Sequence, residues 1–264
     1  MKKSFVLIFA AGAALMAADA VDNPNPLVTH TELGYVKTTG NTDTTSFSLD
    51  FAGKKSWGEH SLKLTADALY GTENGVENNN KFGTELNYDW QFQKHLALNY
   101  LIGYKDDKFS GFDYQFYTGP GAKYIVLDDQ VFKLDFQGNV LYNIDQTMNK
   151  YYDGLGNEVP YPYPDGTTGL TKVFGTYNDY WGYMFKGHFD WKIYDGFKFI
   201  QDASYRSDFD NADNYFVYSK TAVESKINSF FSLGISYKVN YTNQPPEGNE
   251  RTDTTFMTSL IIDY

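Results

Sequence analysis

From about residue 29 to the last residue, Tyr264, the chain alternates apolar and polar side chains in runs of ten residues or more. Successive side chains of a strand point to opposite faces, so each run is a ribbon with one greasy face and one polar face. In the final run Phe256, Leu260, Ile262 and Tyr264 share one parity, while Asp253, Thr255, Ser259 and Asp263 share the other. Between 177 and 192, Tyr177, Trp181, Tyr183, Phe185, Phe189 and Trp191 oppose Asn178, Met184, Lys186, His188, Asp190 and Lys192. Strands of soluble domains run ~5–6 residues, whereas a tilted strand needs about 9–11 to cross hydrocarbon. Length therefore separates a membrane barrel from a secreted sandwich.

Turn residues bound twelve such runs, near 29–39, 43–54, 60–71, 80–92, 95–106, 111–126, 130–145, 176–192, 196–208, 213–226, 230–242 and 252–264. An even number closes a sheet without free edges and returns both termini to one side. The connections sort by length. Short ones fall around Ser56-Trp57-Gly58, Gln93-Lys94, Leu127-Asp128-Asp129, Tyr194-Asp195 and Ile227-Asn228-Ser229; longer ones at 72–79, 146–175 and 243–251 alternate with them. Barrels of this kind keep short turns in the periplasm and longer loops outside. The expected fold is all-β, a transmembrane antiparallel up-and-down β-barrel of about twelve strands over 29–264, with both termini periplasmic.

The front of the chain sets the compartment. Lys2 and Lys3 precede an apolar and small-residue stretch over 4–16, and Ala18-Asp19-Ala20 fits the small-x-small cleavage rule. Residues 1–20 read as a secretory signal peptide, cut after Ala17, Ala18 or Ala20, and 21–28 as a short tail. The apolar run is too short to span as an anchor. With no Cys, there is no lipoprotein anchor, disulfide or thiolate metal site.

No later segment approaches the ~20 continuous apolar residues of a membrane helix. A mean hydropathy of -0.49 does not oppose a barrel, because half of each strand faces the lumen. Aromatic residues make up 18%, with 23 Tyr and 21 Phe, a content suited to membrane–water interfaces. The formal net charge of -11 argues against a nucleic-acid partner, which calls for a basic surface.

Glu32-Leu33-Gly34-Tyr35 followed by Thr39-Gly40-Asn41-Thr42-Asp43 resembles the opening of a bacterial family of unknown function, the salt-induced or YdiY-like outer-membrane proteins. Gly103-Tyr104 with Asp107 and Phe109, Gly119-Pro120-Gly121, Tyr237-Lys238-Val239, Pro245-Pro246 and Thr252-Asp253-Thr254 extend the resemblance over most of the chain. It implies an outer-membrane barrel and no particular chemistry. The last strand, ending on Tyr264, resembles the signal read by the bacterial barrel-assembly machinery, which makes that machinery and outer-membrane lipid the expected partners.

In strand number the chain also resembles an outer-membrane phospholipase. Such chemistry needs a Ser nucleophile against a His base oriented by a third polar group. His30, His60 and His95 lie near strand ends, and His188 points inward between Lys186 and Asp190; none stands beside a Ser on an outward face. No enzymatic activity, catalytic residue or cofactor is expected. Asp153, Asn157, Glu158 and Asp165 in the long loop match no defined calcium-loop spacing, so no metal is assigned to them. Tyr151, Tyr152, Tyr161 and Tyr163, among Pro160, Pro162 and Pro164, are free by sequence to pack the loop on itself, bind sugars or enter the lumen.

The polar parity places Asp50, Asp67, Glu85 and Asp89 inside from the early strands. It places Lys186, His188, Asp202, Arg206, Lys220, Glu224 and Lys238 inside from the later ones. An acidic wall then faces a mainly basic one. Walls of charge set selectivity in pores, so the expected function is a narrow channel for small polar or charged solutes or ions. Two alternatives compete with it: a closed structural or envelope-stress barrel whose outer loops bind a ligand, with these charges paired across the lumen, and, more distantly, an outer-membrane enzyme.

Overall fold

The computed structural model describes residues 26–40, 42–163 and 166–264. The expected signal peptide over 1–20, tail residues 21–25, Asn41 and loop residues 164 and 165 lie outside the described residues. The strands are β1 (Val28–Thr38), β2 (Thr44–Trp57), β3 (His60–Glu73), β4 (Val76–Gln93), β5 (Leu96–Asp107), β6 (Phe112–Asp128) and β7 (Phe132–Thr147). A short hairpin follows, β8 (Lys150–Tyr152) with β9 (Thr171–Val173). The chain then runs through β10 (Tyr177–Tyr194), β11 (Phe197–Asp208), β12 (Tyr215–Lys226), β13 (Phe231–Thr242) and β14 (Thr252–Asp263). All but β8 and β9 form one closed antiparallel barrel, in which β7 pairs with β10 and β1 meets β14. The twelve expected strands are these twelve, each displaced by only a few residues.

Short turns at 58–59, 94–95, 129–131, 195–196 and 227–230 gather at one end of the barrel with β1's start and β14's end. We call this the turn end and the opposite one the loop end. One expected loop is corrected. The 72–79 segment is not an extended connection: β3 and β4 run on and join through Asn74-Gly75, with φ of 49° and 80°. Two left-handed residues suit the tight hairpin turn that an Asn-Gly pair favours. The long 146–175 connection is not irregular throughout either, since β8 and β9 pair within it.

The outer surface is an apolar belt. Leu98, Tyr100, Phe136, Trp181, Phe185, Leu233, Ile235 and Phe256 are all exposed there. Surface of that kind is stable against lipid, where no water demands polar groups. Inside, Leu101, Tyr117, Leu141 and Met184 form a buried cluster on the wall made by β5, β6, β7 and β10. Tyr117 lies over Gly103, where any Cβ would collide with its ring, so the β5 glycine makes room for the β6 aromatic.

The closing seam is the shortest ladder of the barrel. β1 pairs with β14 only over His30↔Asp263 to Leu33↔Leu260, but with β2 along its whole length, Val28↔Lys54 to Thr38↔Thr44. Backbone bonds from Thr29 N to Tyr264 O (2.6 Å) and back from Tyr264 N to Thr29 O (3.0 Å) tie its turn end. Farther along, Ser48 Oγ reaches Met257 Sδ at 2.7 Å behind Gly34.

An outward side chain near mid-strand reports the lipid face directly. Ile235→Arg is expected to lower barrel stability by about 2–4 kcal/mol, whereas Ser236→Ala, facing inward, costs far less. Urea unfolding of both variants in lipid vesicles measures the difference.

Candidate functional site: a charged barrel interior

The polar parity of the strands carries its charges into the interior, where they meet in three groups. At mid-height Asp50 Oδ1 accepts from Lys238 Nζ at 2.6 Å, and Oδ2 accepts from Lys220 Nζ at 3.3 Å. Lys220 also donates to Glu32 Oε1 at 2.5 Å. Glu85 accepts from Lys186, from Tyr117 Oη at 3.1 Å and from Asn87 Nδ2 at 2.8 Å. Apart from the Asn87 bond, which stays within β4, these bonds run between strands that are not neighbours, among them β2 to β12 and β13 and β4 to β10, so they are chords across the lumen.

Toward the turn end Asp89 binds Lys123 Nζ (2.5 Å) and Asn99 Nδ2 (2.6 Å). An amide layer continues from it: Gln137 Nε2 donates to Asn99 and Asn139, both at 2.8 Å, and Asn139 Nδ2 donates to Asn99 at 2.7 Å. His188 Nδ1 lies 2.7 Å from Asp202 Oδ1. Toward the loop end the Arg206 guanidinium lies between the rings of Tyr117 (4.8 Å) and Phe216 (4.3 Å). It donates to Asn143 at 3.2 Å and has Asp145 at 3.7 Å. Cation–π contacts strengthen as water is excluded, and Arg206 is 3% exposed.

Three charges held deep among protein atoms stand apart. Asp67, Lys63 and Lys105 have neither a hydrogen bond nor an ion pair among the described residues, although Lys105 Nζ is 6.0 Å from the Tyr218 ring across the barrel. All three lie deep among protein atoms, yet their side chains keep exposed surface. Both are true at once where that surface faces an internal space open to water. An ionised group without a partner is tolerable only if hydrated.

The two-wall picture therefore changes in detail. Asp50, Asp67, Glu85 and Asp89 do share one side, but Lys63, Lys105 and Lys123 stand among them. Glu32 and Glu224 sit beside Lys220 and Lys198 on the other. Direct pairing replaces an open transverse field. His30, Glu32, Lys63, Lys105, Lys123 and the amide layer were absent from the expected set. Their parity matches that of the residues singled out, and that was the available signal.

No histidine ring among the described residues hydrogen-bonds a serine. Their partners are Asp263 and Glu32 for His30, Tyr88 for His60, the Ile125 carbonyl for His95 and Asp202 for His188. In the long loop Asp153 Oδ1 accepts from the backbone N–H of Leu155 and of Asn157, each at 2.8 Å, and Oδ2 from Asn157 Nδ2 at 3.0 Å. Those bonds hold its carboxyl below the ordinary aspartate range, led by the Asn157 side chain. Glu158 pairs with Lys150 at 3.0 Å.

The loop tyrosines pack together and onto other loops. Tyr163 meets Tyr151 and Tyr161 edge-on, with centroids 4.9 and 5.6 Å apart. Tyr161 also meets Phe109 at 5.4 Å and donates to Glu77 at 2.5 Å. Burial, then the bond to Glu77, pushes the Tyr161 hydroxyl up to about 12. Tyr161→Phe removes that bond and is expected to speed protease cleavage within 153–170 several-fold without altering the heat-modifiable gel mobility of the barrel. Timed digestion of both proteins in detergent reads the effect.

The chords define a second expectation. In a double-mutant cycle, Glu85→Gln and Lys186→Met are expected to couple by roughly 1–3 kcal/mol, discounted from the full buried-pair value because both side chains are partly hydrated. Denaturant unfolding of the four proteins measures it; independence of the two substitutions would place the pair outside the stability of the fold.

Among known proteins, residues 31–264 match a family described as protein of unknown function, DUF481. The chain is 24% identical over 262 residues to the uncharacterized protein YdiY of Escherichia coli (strain K12), covering 93% of this chain and 86% of that one. In shape it is similar to the NanC porin (TM-score 0.44, 12% identity, 89% of this chain and 97% of that one). It is also similar to the translocator domain of the autotransporter NalP from Neisseria meningitidis (TM-score 0.48, 10% identity, 100% and 97%).

Proposed function

The chain belongs to the DUF481 family of proteins of unknown function, and we propose that it forms a narrow aqueous path for small ions or polar solutes across the bacterial outer membrane. The observation that carries this reading is the set of charges enclosed by the barrel yet open to water: Lys63, Asp67 and Lys105. A fully plugged lumen would leave those groups unpaired and dry, at a cost no fold of ordinary stability absorbs. The chords Glu85–Lys186 and Asp50–Lys238 divide the lumen and make the path narrow, so passage selects by size and charge. In this reading the turn end, with both termini, is periplasmic, and the long loops face outward. The signal peptide directs export, and the last strand, ending on Tyr264, engages the barrel-assembly machinery.

The second reading, a closed barrel whose outer loops hold a ligand, would leave the Tyr151–Tyr163 cluster standing clear of the barrel; Tyr161 instead docks on Glu77 and Phe109, which gives that reading no support.

Single-channel recording of the refolded protein in a planar bilayer separates the two. Small stable steps are expected. Lys63→Gln with Lys105→Gln should move the reversal potential toward cation preference, and Lys186→Met should raise conductance by removing a chord. A silent bilayer from protein of correct heat-modifiable mobility would overturn the channel and favour the closed barrel.

A further inference from the structure

At the turn end, three side chains from different strands converge beside the closing seam. His30 and Glu32 lie two apart on β1 and therefore on the same inward face. Glu224 comes from β12. One ligand-type atom from each lies within 4.8 Å of both others. His30 Nε2 is 3.4 Å from Glu32 Oε1 and 3.7 Å from Glu224 Oε1. Two donors on one tetrahedral zinc, each at about 2.0–2.1 Å, stand roughly 3.3–3.4 Å apart. These two edges are near that spacing; the His30–Glu32 one is within hydrogen-bond reach but long for a charge-assisted bond, which runs about 2.7–2.9 Å.

Two further observations point to a ligand. Glu224 is 3% exposed, yet its Oε1 accepts no hydrogen bond. Lys198 Nζ is ion-paired with Oε2 at 2.8 Å, and Oε1 is the oxygen turned toward His30. On the other side of the ring, His30 Nδ1 lies 2.7 Å from Asp263 Oδ1. A proton on Nδ1, donated to that carboxylate, leaves the Nε2 lone pair directed at the two glutamates. A carboxylate behind the imidazole is the arrangement that orients and strengthens histidine ligands. Glu224 and Asp263 also line a cavity of about 310 Å³ at the turn end, together with Lys198, Ser232 and Asn228, which brings that cavity up against one side of the cluster.

We propose that His30, Glu32 and Glu224 form a binding site for a divalent transition-metal cation of the zinc type, entered from the turn end of the barrel. One imidazole nitrogen and two carboxylate oxygens suit zinc better than the all-oxygen preferences of calcium or magnesium. Three protein ligands leave the fourth position to water. Lys220, bonded to Glu32 Oε1 at 2.5 Å, uses one lone pair of an oxygen that has two. Lys198 opposes the cation, so the site is tuned for moderate affinity. If His30 carries a second proton beforehand, binding releases one proton. The site is independent of whether the barrel conducts.

The test is titration of the metal-stripped, detergent-solubilised full barrel with Zn2+ against a chromophoric chelator, with folding checked by heat-modifiable mobility. His60→Gln/His95→Gln protein serves as background, to remove surface imidazoles. One zinc per barrel is expected. Glu224→Gln should abolish uptake, and Asp263→Asn should weaken it about 10–100-fold. Lys198→Met should tighten binding, which a purely structural ion-pair role for the cluster does not predict. If Glu224→Gln fails to fold, the half-exposed Asp263 and Lys198 variants decide the matter. Absence of stoichiometric zinc, or zinc uptake unchanged in Glu224→Gln and Asp263→Asn, would overturn the site.

Discussion

A backbone amide that faces hydrocarbon has no water to bond, and every other feature of this chain follows from that constraint. The ladder must close, so β14 must find β1, and the bonds between Thr29 and Tyr264 complete the ring. Closure then divides every strand by parity. Outward positions meet lipid and are filled by Phe136, Trp181, Phe185 and their like; inward positions are freed from any demand to be apolar. The chain's unremarkable mean hydropathy is the average of these two opposite requirements.

Inside the ring the requirement reverses. An ionised side chain there has left bulk water and needs a partner, a dipole or trapped solvent. All three solutions are present. Glu85 and Lys186 pair directly. Arg206 lies between two aromatic faces with Asn143 as an acceptor. Asp67, Lys63 and Lys105 keep accessible surface. Filling is asymmetric: the β5–β7 and β10 wall carries the buried Leu101, Leu141 and Met184, while Asp67, packed close over Gly83, keeps exposed surface.

Most of the strand plan was legible because alternation is a local signal, repeated in each strand and punctuated by turns. The Asn74-Gly75 hairpin was legible too, but its dipeptide was outweighed by the polar run Glu77 to Asn80, which reads as loop by composition. The chords were not legible. Parity says that Asp50 and Lys220 face inward, but nothing near either residue says that side chains 170 positions apart meet. That pairing depends on barrel diameter, strand tilt and side-chain reach, which are properties of the closed ring. Docking of Tyr161 on Glu77 is of the same kind: the aromatic cluster is visible in sequence, and its landing place is not.

The seam joins these points. It has the fewest paired residues of any junction in the barrel, and β1 leaves β14 beyond Leu33. The His30–Asp263 contact and the Ser259 to Glu32 bond of 3.2 Å both cross it, and Lys220 and Glu224 brace it from β12. Side-chain bonds thus supplement the junction where the backbone ladder is shortest. A cation held by two β1 ligands and one β12 ligand would bridge over β13 and β14 and reinforce that junction without adding a backbone bond. Charge at the turn end would then serve the continuity of the ring as well as the lumen. Such a role would account for a histidine and two glutamates gathering at the closing strand while, among the described residues, the other junctions, paired along most of their length, carry no such group.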